Sequence, residues 1–286
     1  MKRLEVDHPV TVLAAVFGVS RSGYYRWGQA SNGRRSVEDA RLKIEIKTLH
    51  EQSRGTYGRP RLVAALRQQG ILISGRRAGR LMRELGLKAR RKGGWRPRTT
   101  QSRHQLVRWP NRLREQAVPP SRPAVVWVSD MTYVRTGEGW LYVAGVLDLV
   151  SRRLLGLAMA PRLDATLPNA ALRQAVRRCA VDPRGIIAHS DQGVQYSSDL
   201  YQQTLRRHGL VPSMSRRGHC TDNAHMESFW ATLKTELLAG RPTPATRRAA
   251  ETAIFDYVEV FYNRKRLHSA LAYQTPVDFE LNLNYT

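Results

Sequence analysis

The feature that most restricts the possible folds is a change of texture at Pro123. Upstream of it, apolar residues recur every three or four positions between helix stop signals. Downstream, short apolar runs alternate with turns. Residues 125–128, 140–148 and 154–160 read as three successive strands, the first two separated by the turn signal Thr136-Gly137-Glu138-Gly139. Residues 164–180 then form an amphipathic helix, 185–189 a buried strand, 198–208 a helix closed by Gly209, and 211–214 another strand. Two long helices, 222–238 and 243–262, follow. Three antiparallel strands succeeded by alternating helix and strand specify an α/β class: a mixed five-stranded sheet with helices on its faces.

The front of the chain is all-α. Residues 10–17 are an apolar helical stretch, Gly18 a stop, and Ser20 the N-cap of a second helix through Trp27. A helix over 37–52 carries Leu42, Ile46 and Leu49 on one side. A second pair covers 60–69 and 76–85: Pro60 suits a first-turn position, Gly70 and Gly86 are stops, and Ser74 is a cap. Arg76, Arg77, Arg80 and Arg83 recur on one face of the latter helix while Ala78, Leu81, Met82 and Leu85 pack inward, so the cations can lie along a duplex. Both pairs are helix-turn-helix-like. A plain helical bundle with a solvated charged face fits the same periodicity.

Charge separates the halves further. The chain carries 47 Lys and Arg against 23 Asp and Glu, a net charge of +24, and residues 1–120 hold +19 of it. A polyanion, nucleic acid first, is the expected partner. Residues 89–122, with Arg90, Arg91, Lys92, Arg96, Trp95 and Trp109, read as an extended basic linker that lays cations against phosphates. The resulting division is 1–55 and 56–88 (helical units), 89–122 (linker), 123–240 (α/β core) and 241–286 (C-terminal helix and basic-aromatic tail). Two cysteines, Cys179 and Cys220, supply neither a disulfide framework nor zinc-ligand spacing, which fits a reducing cytoplasm. No stretch nears the ~18 apolar residues of a membrane span, and the N-terminus is a poor imitation of a signal peptide. A cytoplasmic, nucleoid-associated protein is expected.

Three acids stand out. Asp130 ends the first strand, Asp191 follows the fourth, and Glu227 lies on a helix. Singly each has a plain explanation: a strand-end cap, an Asx-turn before Gly193, an exposed helix residue. Together they can line one cleft. Carboxylates after apolar strands are costly unpaired, and hard divalent cations with oxygen ligands are a common solution. Two such ions about 3.5–4 Å apart support in-line phosphoryl transfer. Lys234, two helical turns beyond Glu227, faces the same side and can reach a phosphate beside the metals. Asn223 is one turn before Glu227 and can touch the same phosphate or cap the helix. His189 and His225 flank the acids, with packing or a hydrogen bond the plainer role. Asp148, at the end of the second strand, suits a structural ion pair or turn. Tyr262, Asn263, Arg264, Arg266 and His268 form a compact basic-aromatic motif open to phosphate contact or protomer packing.

Asp130, Asp191, a gap of thirty-five residues, Glu227 and then Lys234 resemble the DDE recombinases with a ribonuclease H-like core, the group that includes retroviral integrases. More narrowly, the segments His189–Tyr196, Asp222–Phe229, Leu233–Glu236 and Tyr262–Leu271 resemble the OrfB transposase of the IS-three family of bacterial insertion sequences, and Tyr57–Arg61 with Leu81–Leu87 resemble its helix-turn-helix region. Ala272 stands where the family usually has Gly, Trp230 where Phe is frequent, and Thr221 where Tyr is frequent.

The resemblance implies a ribonuclease H-like core in which Asp130, Asp191 and Glu227 ligate two Mg²⁺ ions, with Mn²⁺ able to substitute, and Lys234 contacts DNA near the scissile phosphate. It implies nicking of terminal inverted repeats by water, attack of the freed 3′-hydroxyl on another strand, and insertion into target DNA. Partners implied are DNA, further copies of the chain as a dimer or higher oligomer, and an upstream product, OrfA, often joined as a frameshift fusion. Because the chain begins at Met1 and shows no sustained heptads, it is expected to be incomplete for end recognition. Two rival readings stand beside this one: a DNA-binding regulator whose α/β domain is scaffold, and a structure-selective nuclease that cuts without joining.

Overall fold

The structure is a computed structural model that describes residues 1–29, 34–90, 107–115, 119–216 and 223–283. It divides into two compact units, Met1–Ala89 and Arg90–Thr286.

The first unit is helical. Helices α1 (Val10–Val16) and α2 (Arg21–Gln29) flank a turn in which Gly18 takes φ +61° and Ser20 Oγ accepts from the Gly23 amide at 3.0 Å. Helix α3 (Arg34–Gln52) begins a few residues before its expected start and packs on α4 (Arg59–Gln68) and α5 (Gly75–Glu84). Ile46, Leu62, Leu66 and Leu81 are wholly buried between them. Ser74 caps α5 by accepting from the Arg77 amide at 3.2 Å, and Gly70 and Gly86 end α4 and α5 at positive φ, where a Cβ is costly.

The second unit is built on a five-stranded sheet: β1 (Val126–Thr136), β2 (Gly139–Asp148), β3 (Leu154–Ala160), β4 (Ile187–Ser190) and β5 (Val211–Met214). Its order is β3-β2-β1-β4-β5, with β1, β2 and β3 antiparallel and β4 and β5 parallel to β1. Before the sheet comes a short helix, α6 (Arg112–Glu115); within it stand α7 (Thr166–Arg178) and α8 (Asp199–Arg207). Trp127, Met131, Ala144 and Val146 from the sheet meet Leu167, Ala171, Leu172 and Ala175 of α7 and Tyr201 and Leu205 of α8 in one core. Gly156 permits the closest approach, since a Cβ there would stand 2.1 Å from the Ala171 carbonyl oxygen. The alternate residues of β1 and β2 face α9 (Ala224–Leu233). Then come α10 (Arg247–Asp256) and a C-terminal helix, α11 (Pro276–Leu283).

Three expectations are corrected. The first strand runs to Thr136, far past its apolar start: Ser129, Thr132 and Thr136 are buried in it although polar. Each of the two long helices finishes in a π segment, 234–238 after α9 and 257–262 after α10, which shifts the face that its later residues present. The stretch 107–115, read as extended linker, is fixed to the core: the Trp109 indole donates to Gln202 at 2.9 Å and the Arg112 amide to Ser213 at 3.0 Å. The helix α11 was not foreseen. Its Glu280 accepts from Ser151 at 2.7 Å and Arg153 at 2.5 Å, tying the C-terminus to the β2–β3 corner. Asp148 organises that corner as a turn anchor, accepting from the amides of Ala124, Val150 and Ser151 at 2.7, 3.0 and 2.8 Å.

Candidate active site

The sheet register brings the first two acids together. Val128 of β1 pairs with His189 of β4 in parallel. Asp130 and Asp191 each lie two residues further on, so they leave neighbouring strands at the same height and on the same face. Asp130 therefore sits mid-strand, opposite Gly145 of β2, and not at a strand end. Asp191 directly follows β4; its Oδ1 accepts from the Gly193 amide at 2.9 Å, so the Asx-turn holds the carboxylate in place.

Glu227 comes from the first turn of α9, where a carboxylate also complements the helix dipole. Two contacts set that helix against the acids. The Asn223 side-chain amide donates to the Ser129 carbonyl at 3.0 Å, joining the start of α9 to β1; Asn223 makes no side-chain cap. Gly145 provides the second, since a Cβ there would come within 3.0 Å of Met226 Cε and Trp230 Cη2. The helix rests on the sheet beside Asp130 because residue 145 has no side chain. Sequence reading passed over Gly145; a glycine inside an apolar strand was the available signal.

The charges register this proximity. The Asp130 carboxyl is raised to about 8, first by burial, then by the Asp191 charge, with Glu227 adding to the shift and the Met131 amide and the nearby Trp230 indole opposing it. The Tyr196 phenol is wholly buried and is pushed well above its usual range by burial and by Asp130 and Asp191. Lys234 lies 5.2 Å from the centre of the Tyr133 ring; burial lowers its ammonium to about 8 while the Asp130 charge works the other way. Asp130, Asp191, Glu227 and Lys234 thus share one neighbourhood.

Among the described residues, no three His, Cys, Asp or Glu side chains stand close enough as they are to enclose an ion. The chemistry of the donor set nevertheless suits a hard divalent cation. It consists of carboxylate oxygens, with the Asp130 carboxyl raised first by burial and then by its like-charged neighbours, and beside them the buried Asn223 Oδ1 lacks a hydrogen-bond donor. A cation among these groups would counter both the burial and the repulsion that raise the Asp130 carboxyl.

The flanking histidines are structural. His189 is buried, with Nδ1 2.9 Å from Ser213 Oγ and Nε2 3.0 Å from Ser215 Oγ, bonds that join β4 to β5. His225 meets the Arg152 guanidinium, and burial together with that charge lowers its imidazole to about 4.

The residues expected on DNA fall into distinct environments. Arg76 and Arg83 are exposed on α5. Arg77 and Arg80 turn to α3: Arg77 bonds Asp39 at 2.8 Å and Glu38 at 3.0 Å, and Arg80 bonds Asp39 at 2.6 Å and Glu84 at 2.7 Å. Arg90 donates to the carbonyls of Glu236 and Ala239 at 3.1 and 3.3 Å, closing the end of the π segment. Arg264 is exposed. Arg266 is not: it is 5% exposed and its guanidinium grips the buried Glu236, Nε to Oε2 at 2.8 Å and NH2 to Oε1 at 2.6 Å. His268 is buried edge-on to Tyr262. Asn263 bonds both the amide and carbonyl of Leu154. Within this motif Arg266 and Glu236, with Tyr257, tie the two π segments together, and Asn263 ties the chain to β3. Arg91, Lys92 and Arg96 lie outside the described residues.

Comparison with known proteins agrees with this architecture. Residues 37–94 match an HTH-like domain family, and residues 120–220 and 208–276 match two integrase core domain families. A solved simian T-cell lymphotropic virus intasome, in complex with the PP2A regulatory subunit B56 gamma, is 16% identical with a TM-score of 0.48, over 82% of this chain and 74% of that one. The insertion element IS600 uncharacterized 31 kDa protein of Shigella sonnei is 45% identical over 267 residues, covering 93% of this chain and 97% of its own. Transposase InsF for insertion sequence IS3A of Escherichia coli K12 is 36% identical over 282 residues, covering 98% and 96%. With near-complete coverage at such identity, the chain belongs to the IS3-family insertion-sequence transposases, with an integrase core and an HTH-like domain.

Proposed function

We propose that this transposase nicks the terminal inverted repeats of its insertion sequence, joins the freed 3′-hydroxyl to another strand by in-line phosphoryl transfer, and then inserts the element into target DNA. Asp130, Asp191 and Glu227 are the catalytic residues and would hold two Mg²⁺ ions, with Mn²⁺ able to replace them. Bound there, the ions supply the Lewis acidity that activates the attacking oxygen and stabilises the leaving one. The observation that carries the reading is the parallel β1–β4 register, which puts Asp130 and Asp191 on neighbouring strands at one height while α9, seated over Gly145, carries Glu227. The protein's own contribution is placement. Asp130 is fixed mid-strand, Asp191 is oriented by the Gly193 amide, and Glu227 approaches on a helix seated over Gly145. Lys234 presents an ammonium beside Asp130, where a scissile phosphate would lie. Because both steps use an external oxygen nucleophile, none of the tyrosines needs to form a covalent bond to DNA.

The HTH-like unit and the net charge of +24 support DNA as the partner, element ends and target alike. We extend the reading to a homo-oligomer assembled on DNA and to an OrfA segment, separate or fused, that completes end recognition. The test is Asp191→Asn. The variant should lose metal-dependent nicking and strand joining while binding element-end DNA within about two-fold of the unaltered chain. Unchanged nicking would remove the acids from the chemistry.

A further inference from the structure

We propose that Trp140 and Tyr133 form a fixed stacking platform for nucleobases of a single strand of DNA passing the catalytic acids; this rests on the function proposed above. Trp140 is 45% exposed near the start of β2. Its ring stands edge-on to that of Tyr133, with centroids 4.8 Å apart. Tyr133 in turn lies 5.2 Å from the Lys234 ammonium, which feels the Asp130 charge. The exposed Trp is thus joined through Tyr133 to the Lys234 ammonium.

The backbone beneath the platform is clamped. Arg247 donates through Nε to the Trp140 carbonyl at 3.1 Å and through NH2 to the Glu138 carbonyl at 2.5 Å, and its own amide donates to the Glu138 carboxylate at 2.9 Å. The Gly137 amide donates to the Pro244 carbonyl at 2.9 Å, and a Cβ on Gly137 would stand 2.5 Å from the Ala245 carbonyl oxygen. The hairpin is therefore locked to the segment before α10 while the Trp140 ring stays open to solvent. An aromatic group already ordered loses little freedom on binding, which favours a ligand with a flat face. Charge identifies the ligand class. Arg135, exposed, pairs in register with Trp140, and Lys234 lies at the inner end, so the stacked group should carry phosphates. Every base has a π-face, so the platform would not discriminate sequence.

The test uses the full chain and two probes at one salt concentration without divalent cation: a 12-nucleotide oligothymidine and a 30-base-pair duplex of unrelated sequence. Trp140→Ala should weaken oligothymidine binding at least five-fold, about 1 kcal/mol, and duplex binding less than two-fold. Trp140→Phe should keep most of the oligothymidine affinity, because a ring remains. Folding should survive in both, since Arg247 grips carbonyl groups and not the indole; thermal unfolding checks this. Equal losses on the two probes, no loss with Trp140→Ala, or an equal loss with Trp140→Phe would each overturn the platform. Binding alone is read, so the outcome is independent of the Asp191→Asn experiment: the platform can fail while the acids remain catalytic, and the reverse.

Discussion

Glu236→Gln is the most informative single change outside the acids, because it separates an internal role for Arg266 from a role on DNA. Glu236 is 6% exposed and accepts three hydrogen bonds, two from Arg266 at 2.6 and 2.8 Å and one from the Tyr257 hydroxyl at 2.7 Å. Burial alone would lower the Arg266 pKa; the Glu236 hydrogen bonds and charge more than offset this and raise it. The substitution keeps the shape but leaves a guanidinium buried without its counter-charge and turns an amide N–H₂ towards donors. Stranding one partner of a buried pair costs about 3–5 kcal/mol. With an m-value of ~3 kcal/mol/M in urea, the unfolding midpoint falls by at least ~1 M, read by tryptophan fluorescence at pH 7. The double variant Glu236→Leu/Arg266→Met should recover much of the loss, since apolar replacement of both partners is often neutral. A midpoint shift below ~0.3 M, or Arg266→Met weakening DNA binding with stability unchanged, would refute the internal pairing.

The remaining predictions concern the helical unit and the acids. Arg76→Ala and Arg83→Ala should each reduce the log–log salt slope of duplex binding by about 1, whereas Arg77→Ala should leave the slope and lower the thermal midpoint, because Arg77 already serves Asp39 and Glu38. For Asp130, a carboxyl raised to about 8 must lose its proton to meet a cation, so calorimetric Mg²⁺ titrations at pH 7 in buffers of differing ionisation enthalpy should register proton release that fades above pH ~9. Without cation the same shift stabilises the fold fully below the ordinary carboxylate value of 3.8, and that contribution is lost as pH rises through about 8. Binding without proton release would contradict the placement.

Much of this was legible in the residues because local physics and tertiary position agree. Ser20, Ser74, Gly70 and Gly86 punctuate the helices as their chemistry demands, and β2, β3 and β5 fall close to or on their apolar runs. The acids stand out in the sequence by spacing, yet what brings Asp130 and Asp191 onto neighbouring strands is the parallel β1–β4 register, which no local pattern encodes. What sequence misplaced was decided by partners distant in the chain. Ser129 and Thr132 look like the end of a strand, but β2 pairs with β1 throughout. Arg266 looks like a phosphate ligand until Glu236, thirty residues earlier, is found inside the fold beside it. Arg77 and Arg80 share a stripe with Arg76 and Arg83, and only the neighbouring acids of α3 distinguish them. Gly145 carries no side chain to notice, although its smallness seats the helix that bears Glu227.

The claim on which the account depends is that acids from β1, from the end of β4 and from α9 act together on divalent cations. Anomalous diffraction from crystals of the chain soaked in Mn²⁺ addresses it directly. Two manganese peaks bridging Asp130, Asp191 and Glu227, about 3.5–4 Å apart, are the expected result. Manganese bound elsewhere, with the three carboxylates left uncoordinated, would contradict it.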